Sequence, residues 1–213
     1  MSTTTVSKPR FAKMYMKAAA RADQRGADAH RRRLLEGLSG RVVEVGAGHG
    51  INFQHYPATV TCVLAIEPEG TLRATAEDAA NSAPVPVTVV EGTADALPFG
   101  DGAADAVVVS LVLCSVPDQA TALAEARRVL RPGGEIRFYE HVIARGQPKR
   151  TILQFADRSG LWPKIAGGCH PARDTGAAIE AAGFTTERCE RFGFSASALE
   201  PKIPHILGVA RRP

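Results

Sequence analysis

The segment Glu44-Val45-Gly46-Ala47-Gly48-His49-Gly50 decides the fold. It ends a short β-branched run at residues 41–45 and precedes a stretch predicted to be helical to about residue 57. Glycines at such a junction let the backbone turn tightly and let a ligand approach the N-terminus of the helix closely. The spacing is Gly-x-Gly-x-Gly, and Ile51 stands where a dinucleotide-binding fingerprint has its third glycine. The segment therefore predicts a ligand-binding turn and disfavours an NAD-linked oxidoreductase.

Strands and helices alternate along the rest of the chain. Six further strands are predicted at residues 59–67, 85–91, 106–112, 135–142, 184–191 and 206–211. The helices between them have clear starts, such as Pro117-Asp118 and Asp174. This pattern predicts an α/β fold: a single Rossmann-like, doubly wound sheet of seven strands, mostly parallel with an antiparallel last strand, and helices on both faces.

Composition places the chain among ordinary soluble proteins. It has 213 residues, of which 45% are hydrophobic and 23% are charged. No window approaches the roughly 18 consecutive apolar residues of a membrane span, and no secretory leader can be drawn. We therefore expect a cytoplasmic protein without stable membrane insertion, either a monomer or a homodimer. The four cysteines lie far apart with no Cys-x-x-Cys, so neither a disulfide framework nor a zinc ribbon is expected.

The first 40 residues carry the positive charge of the chain. Nine Lys or Arg residues face three acidic residues there, whereas the net charge of the whole chain is +4. The region is rich in Ala, Arg and Leu, which predicts one helix or two helices broken near Gly26. We expect residues 1–40 to form a helical extension or lid beside a domain at residues 41–213. A solvated helix face explains the charge better than a nucleic-acid footprint, because aromatic residues are not interleaved with the basic ones.

A carboxylate follows the second predicted strand. Glu67 lies about 20 residues after the glycine turn, at the place where an acidic side chain accepts both hydroxyls of a ribose. The alternative is a helix-capping or surface carboxylate.

Several motifs in the expected order resemble those of the class I S-adenosylmethionine-dependent methyltransferases. They are residues 44–50, Ile66-Glu67-Pro68, Gly92 with Ala96-Leu97-Pro98-Phe99, Asp105, and residues 128–134. A narrower set is similar to the methyltransferase-like thiol S-methyltransferases of animals: Asn52-Phe53, Tyr56-Pro57, residues 111–116, Glu140-His141-Val142, Gly168-Cys169, Arg173-Asp174-Thr175 and Pro204-His205-Ile206. The animal proteins carry an apolar N-terminal membrane anchor, which a basic head replaces here, so membrane attachment is not carried over.

This resemblance implies S-adenosylmethionine as the cofactor, with S-adenosylhomocysteine as its product, and makes residues 41–213 the methyltransferase domain. Glu44 would orient the glycine turn, and Pro68 would pack on the adenine. Many relatives have an Asp just after the glycine at Gly92, whereas this chain has Thr93, Ala94 and Asp95, so either Asp95 or backbone groups would meet the adenine amino group. The other residues implied on the cofactor side are Gly46, Ala47, Gly48, Gly50, Asn52, Ser110 and Leu111.

Methyl transfer from a sulfonium is an in-line displacement that depends mainly on alignment. A thiol acceptor, with a pKa near 8.5, needs little help to ionise. His141 follows the fifth predicted strand and is the candidate base or thiolate-stabilising group; the alternative is a histidine that only hydrogen-bonds locally. Tyr15 in the head would touch the substrate if the head closes over the site. The predicted acceptor pocket contains Cys114, Phe155, Trp162, Cys169 and His170, and no metal site is expected.

The sequence thus predicts an enzyme that methylates a small hydrophobic molecule, with a thiol as the preferred acceptor. A second hypothesis keeps the cofactor and places the methyl group on oxygen, nitrogen or carbon of a phenol, quinone or other metabolite. A third, of another class, is a cofactor-binding module without turnover. Apolar and aromatic segments around the site favour a small-molecule partner over nucleic acid.

Overall fold

One seven-stranded sheet organises the chain. The computed structural model describes residues 7–196 and 201–213, without the side chains of residues 161 and 165. The strands are β1 (Gly40–Val45), β2 (Val60–Ile66), β3 (Val87–Val90), β4 (Ala104–Ser110), β5 (Leu130–His141), β6 (Thr185–Phe194) and β7 (Ile203–Arg211). Their order is β3-β2-β1-β4-β5-β7-β6, and β7 runs antiparallel to both of its neighbours while the first five strands pair in parallel. The predicted sheet is confirmed, including its antiparallel last strand.

Seven helices surround the sheet in the described part of the chain, and those after Asp118 and Asp174 begin where the sequence predicts them. They are α1 (Pro9–Gln24), α2 (Ala27–Leu35), α3 (Gly70–Ala80), α4 (Gln119–Val129), α5 (Lys149–Arg158), α6 (Leu161–Ile165) and α7 (Thr175–Ala181). The side chain of Asp118 accepts hydrogen bonds from the first N–H groups of α4, and Asp174 does the same for α7. Gly26, with a φ of 109°, separates α1 from α2. Residues 1–6 of the expected head lie outside the described residues.

The core lies on both faces of the sheet. Val107 and Val109 of β4 belong to a cluster that includes side chains of α4 and α7, whereas Ala106 and Val108 belong to a second cluster with side chains of α2 and α3. Successive residues of a strand point to opposite faces, so the apolar run at residues 106–109 of β4 is covered on both sides. Within the described residues, every helix is too short or too polar to cross a membrane.

Two boundaries differ from the sequence expectation. The stretch after the glycine turn contains only a single turn of 3-10 helix at Phe53–His55. Gly46, Gly48 and Gly50 all have positive φ, so the backbone leaves the α region repeatedly before that turn begins. The fourth strand ends at Ser110 rather than at residue 112, because Leu111 adopts a φ of 60° and turns the chain away from the sheet.

Candidate functional site

A cavity of about 560 Å³ opens at the carboxyl ends of β1, β2, β4 and β5. Parallel strands end at one edge of such a sheet, which is where ligands of open α/β folds bind. Residues from α1 and from the segment 166–169 form the opposite wall. The cavity therefore lies between the sheet edge and a cover made of the N-terminal helix and the loop after α6.

The glycine turn forms the floor of this cavity. Gly46 has a φ of 67°, and a Cβ built there would lie 2.6 Å from Cγ2 of Val112. Gly48 has a φ of 59°, and a Cβ there would lie 3.2 Å from Cε1 of Tyr15. Both positions thus need glycine for backbone conformation and for close approach. They expose backbone rather than side chain to whatever occupies the cavity.

Glu67 joins the glycine turn to the start of α3. Its Oε2 accepts a hydrogen bond from the Gly48 N–H at 2.8 Å, and its Oε1 accepts one from the Glu69 N–H at 2.9 Å. The residue is 5% exposed and lines the cavity beside Pro68. Burial raises the pKa of Glu67, while the two backbone hydrogen bonds oppose that rise. A carboxylate has about four lone-pair sites, so about two remain for a ligand hydroxyl.

Behind the turn lies a buried polar network rather than a ligand-facing wall. Glu44 accepts hydrogen bonds from Asn52 Nδ2 at 2.7 Å and from the Tyr56 hydroxyl at 2.8 Å. Burial raises the pKa of Glu44 to about 7. The buried Arg31 of α2 donates to Asn52 Oδ1 and to Ser110 Oγ, both at 3.4 Å. This network holds the turn from beneath.

Several residues implied on the cofactor side belong to that support rather than to the cavity wall. Glu44, Ala47, Gly50 and Asn52 do not line the cavity. Those that do line it are Gly46, Gly48, Glu67, Pro68, Thr93, Ala94, Asp95, Ser110 and Leu111. The segment after β3 is held in a tight turn by a bridge between Thr93 and Ala96, which presents Thr93, Ala94 and Asp95 at the rim.

A buried carboxylate shapes the turn after β4. Glu140, which is fully buried, accepts hydrogen bonds from the N–H groups of Val112, Leu113 and Cys114 at 2.8, 2.9 and 3.1 Å. Leu111 sits in the left-handed region, which costs a non-glycine residue about 1–2 kcal/mol. The three hydrogen bonds to Glu140 offset that strain. They fix the position of the Cys114 side chain at the cavity wall.

Two thiols and an imidazole meet at the far end of the cavity from α3. His141 Nδ1 lies 3.5 Å from Cys114 Sγ and 3.3 Å from Cys169 Sγ. A hydrogen bond from Cys114 and the neighbouring imidazole lower the pKa of Cys169, whereas the bond to Cys169 and burial raise the pKa of Cys114. The pKa values of the two thiols are therefore shifted in opposite directions.

The ring of His141 is fixed by a second histidine. His205 on β7 packs against it with ring centroids 4.4 Å apart. Burial lowers the pKa of His205 to about 3, so this neighbour stays neutral. His205 Nδ1 donates a hydrogen bond to Ile203 O in its own strand, 2.8 Å away. It packs beside the site without competing for the two thiols.

The N-terminal helix covers the cavity with its apolar side. Phe11, Met14, Tyr15 and Ala18 line the cavity, whereas Lys13, Lys17 and Arg21 are exposed. The ring of Phe11 packs so closely on Gly167 that a Cβ there would overlap it. The N–H of Lys8 donates to Glu69 Oε1 at 2.8 Å and so ties the start of α1 to the loop after β2.

Two residues of the predicted acceptor pocket lie elsewhere, and a third lies behind its wall. Phe155 on α5 is 75% exposed and does not reach the cavity. His170 pairs through Nδ1 with Asp157 Oδ1 at 2.6 Å and also stands outside the lining. Trp162 on α6 is not part of the lining, but its side chain contacts the Cys169 thiol and helps to lower the pKa of that thiol. The expectation that these three side chains line the pocket is therefore not met. Cys114, Cys169, His141 and Tyr15 do line it.

Sequence reasoning missed two buried charged residues that position the site. Glu140 lies near the end of the predicted strand at residues 135–142, directly after Phe138 and Tyr139, and a carboxylate at such a strand end is a signal that was available. Arg31 is one of three consecutive arginines, and their pattern gives no sign that the first of them is buried.

Comparison with known proteins gives consistent matches. A family model described as "Methyltransferase domain" matches residues 43–138. The thiol S-methyltransferase TMT1B of Mus musculus is 38% identical over 181 residues, which are 83% of this chain and 73% of that protein. The thiol S-methyltransferase TMT1A of Homo sapiens is 34% identical over 183 residues, 82% of this chain and 72% of that protein.

A bacterial enzyme matches over a shorter region. The demethylmenaquinone methyltransferase of Thermobifida fusca is 34% identical over 129 residues, 60% of this chain and 55% of that protein. Among solved structures, a methyltransferase candidate from Bacillus halodurans has a TM-score of 0.70 at 19% identity and covers 88% of this chain and 100% of that one. A geranyl diphosphate methyltransferase in complex with SAM has a TM-score of 0.66 at 15% identity, with coverage of 85% and 82%. These two structures share the fold.

Proposed function

The chain belongs to the class I S-adenosylmethionine-dependent methyltransferases, and we propose that it transfers the methyl group to the sulfur of a small hydrophobic thiol. The observation that carries the choice of acceptor is the 38% identity, across 83% of the chain, to a protein named thiol S-methyltransferase. The apolar cover over the cavity and the sulfur-rich far wall support the same choice.

S-adenosylmethionine is the cofactor of this enzyme, and the cavity residues suit it. Gly46 and Gly48 have no side chain to meet Val112 or Tyr15, and both line the cavity with their backbone, against which a ligand can lie. We propose that Gly46 and Gly48 bind the methionine part and that Glu67 accepts hydrogen bonds from the ribose hydroxyls. Pro68 with Thr93, Ala94 and Asp95 would then surround the adenine.

The bound cofactor supplies an electrophilic methyl group on a positively charged sulfur. The protein's task is to align the acceptor sulfur with that methyl carbon and to keep water away, which is worth several orders of magnitude in rate for a displacement of this kind. Leu111 and Ser110 lie at the carboxyl end of β4 and line the cavity together with the glycine turn and Cys114. We propose that they separate the two ligands and set the line of transfer.

His141 is proposed as the group that favours the thiolate form of the acceptor. Its Nδ1 already faces two sulfur atoms at 3.3 and 3.5 Å, the distances at which an imidazole exchanges a proton with a thiol. A free thiol has a pKa of about 8.5, so only a few per cent is ionised near pH 7, and a nearby imidazole raises that fraction.

The N-terminal residues are proposed to act as a cover rather than as a separate binding unit. Tyr15 packs over Gly48 and Phe11 packs on Gly167, so α1 bridges the two sides of the cavity. Residues 41–213 would then be the methyltransferase domain, and the preceding helices would close it. Since closing an active site removes water, this helix would belong to the catalytic unit.

A second candidate acceptor is a quinone-type ring, which the similarity to a demethylmenaquinone methyltransferase favours over 60% of the chain. Carbon methylation of such a ring would use the same cofactor site. The two proposals require different chemistry of the wall formed by Cys114, His141 and Cys169. A carbon nucleophile needs a base that removes the proton of the ring hydroxyl, whereas a thiol needs a surface that binds sulfur.

The test is a panel of acceptors that share a carbon skeleton. An aliphatic thiol and an aromatic thiol are each assayed beside the corresponding alcohol or phenol, together with a naphthoquinol, and S-adenosylhomocysteine formation is measured by mass spectrometry. Gly46→Val serves as the background, because its side chain would overlap Val112 and fill the floor of the cofactor site. We expect turnover of the thiols alone. Turnover confined to the phenol or the quinol contradicts the thiol proposal.

The role of His141 is tested separately by pH. His141→Ala is expected to lower the rate with a thiol about 10- to 100-fold near pH 7, with a smaller loss toward pH 9, where the acceptor ionises without help. An equal loss at every pH would mean that the imidazole only supports the structure.

A further inference from the structure

The cluster of Cys114, His141 and Cys169 has the composition of a metal site. One ring nitrogen of His141 and the two Sγ atoms all lie within 4.8 Å of one another. These three atoms are therefore close enough to bind one metal ion together. The three residues come from the turn after β4, the end of β5 and the loop after α6. Their distance in the sequence explains why no ligand motif is visible there.

The distances match a tetrahedral zinc site. Zinc binds a cysteine sulfur at about 2.3 Å and a histidine nitrogen at about 2.0–2.1 Å, so tetrahedral angles place a sulfur and a nitrogen ligand about 3.6 Å apart. The observed separations of Nδ1 from the two sulfurs are 3.5 and 3.3 Å. An ion that enters the cluster would thus find its ligands at nearly the required separation.

The backbone holds these ligands independently of any ion. The N–H of Cys114 donates to Glu140, and its carbonyl accepts from the N–H of His170 at 2.7 Å. The N–H of Cys169 donates to Ala166 O at 3.2 Å, and the ring of His141 packs on His205. A site whose ligands are already ordered binds its ion without a cost for ordering them.

We propose that Cys114, His141 and Cys169 bind a zinc ion, and that its fourth coordination position faces the cavity and takes the sulfur of the acceptor. Three protein ligands with one open position are typical of catalytic zinc, and Cys₂His is one of the known sets. All three residues line the same cavity as Glu67 and the glycine turn. The part that concerns the fourth ligand rests on the proposed thiol acceptor, whereas the ion site itself does not.

The chemistry balances without a further reactant. Cys114 and Cys169 bind the ion as thiolates, so any proton that their sulfurs carry passes to solvent when the ion binds. The acceptor thiol likewise loses its S–H proton to solvent as its sulfur binds the ion as a thiolate. A lone pair of that sulfur forms the new bond to the methyl carbon, and the bond from this carbon to the sulfonium sulfur breaks with its electron pair left on that sulfur. The product is a neutral thioether, a weaker ligand than a thiolate, so it leaves the ion. In this arrangement His141 favours the thiolate form of the acceptor through the ion that it binds, rather than by taking the proton itself.

Metal binding is tested on the full-length protein without any acceptor. The protein is reduced, stripped with a chelator and titrated with zinc in competition with a chromophoric chelator; we expect about one equivalent per chain. Cys114→Ser, Cys169→Ser and His141→Ala should each weaken binding by more than about 100-fold. Cys189→Ser, which changes an exposed cysteine outside the cluster, is the matched control and should bind as the wild type does.

Cobalt substitution supplies a spectroscopic readout. Cobalt bound by the cluster should give a thiolate charge-transfer band in the near ultraviolet, and a small thiol should shift the visible bands by entering the fourth position. Failure of the reduced wild-type protein to bind zinc or cobalt overturns the site, and so does binding that the cysteine variants leave unchanged. A disulfide between Cys114 and Cys169 in place of metal binding also overturns it.

The two proposals fail in different ways. Methylation of thiols at full rate by protein that contains no metal would overturn the proposed binding of the acceptor sulfur to the ion and leave the proposed function intact. One equivalent of cluster-bound zinc in a protein that turns over only quinols or phenols would keep the site and overturn the thiol acceptor.

Discussion

Replacing Glu67 with glutamine is expected to weaken cofactor binding through a conflict that the structure makes explicit. Each carboxylate oxygen accepts one backbone N–H, from Gly48 at 2.8 Å and from Glu69 at 2.9 Å. Glutamine offers one oxygen and one NH₂ group, so either amide orientation places a donor against a backbone donor. Isosteric replacement therefore removes one hydrogen bond in the protein as well as the charge that faces the ribose.

The magnitude follows from these two losses. An unsatisfied buried N–H costs about 1–3 kcal/mol, which lowers the free energy of unfolding of the cofactor-free protein. A charge-assisted hydrogen bond to a ribose hydroxyl contributes about 1.5–3 kcal/mol, and its loss corresponds to an affinity about 10- to 150-fold lower. Glu67 is 5% exposed, so water cannot readily replace either partner.

The assay combines calorimetry with S-adenosylhomocysteine and urea denaturation. Glu125→Gln is the matched control, because Glu125 also accepts a backbone N–H, from Leu97 at 2.8 Å, but lies outside the cavity lining. It should lose stability and keep wild-type affinity. Glu67→Gln with wild-type affinity would refute the ribose assignment, whatever happens to its stability.

Three further predictions concern the supports around the cavity. Burial raises the pKa of Glu44 from 4.5 to about 7, so between these pH values the folded protein holds a proton that the unfolded chain has released. The free energy of unfolding should therefore fall by about 3 kcal/mol as the pH rises from 4.5 to about 7. Glu44→Gln should remove this fall in urea denaturation, and the same pH dependence in variant and wild type would contradict the prediction. Gly167→Ala should displace Phe11, speed tryptic cleavage in α1 and weaken S-adenosylhomocysteine binding. Gly160→Ala is the control, because Gly160 has a φ of 68° but open space around it, so this variant introduces backbone strain alone; equal effects of the two variants would contradict a role for the contact between Phe11 and Gly167. Glu140→Gln leaves the Cys114 N–H facing an NH₂ group, so stability should drop by about 1–3 kcal/mol and the Cys114 amide should exchange faster with solvent; unchanged exchange would show that the turn is held without the carboxylate.

The sheet was predictable because its signals are local. The all-apolar run of β4 needs no distant partner to be recognised as a strand covered on both faces, and Asp118 and Asp174 mark the helix starts that follow strands. The end of β4 was not predictable from apolar character alone. Leu111 and Val112 continue the apolar run, but the carboxylate of Glu140 draws the backbone into a turn there.

The cofactor side of the cavity was easier to predict than the acceptor side for the same reason. Gly46, Gly48 and Glu67 follow directly from strand ends, whose positions along the sheet edge are set by the topology. Phe155 shows the opposite case. Its spacing to Ile152 predicts a common helix face, yet nothing in the sequence states what covers that face, and both side chains are exposed.

The acceptor side depends on convergence of segments that are remote in the chain. Cys114 is placed by the carboxylate of Glu140, Cys169 by the loop that Phe11 packs against, and His141 by the ring of His205. Glu140, Phe11 and His205 are each remote in sequence from the cluster residue whose position they support. Because Glu140 and His205 hold their cluster residues from β5 and β7, a change in either of them should alter the acceptor end while leaving the glycine turn and Glu67 in place. The chain thus builds cofactor binding from local sequence and acceptor chemistry from tertiary packing, which allows the second to change while the first is kept.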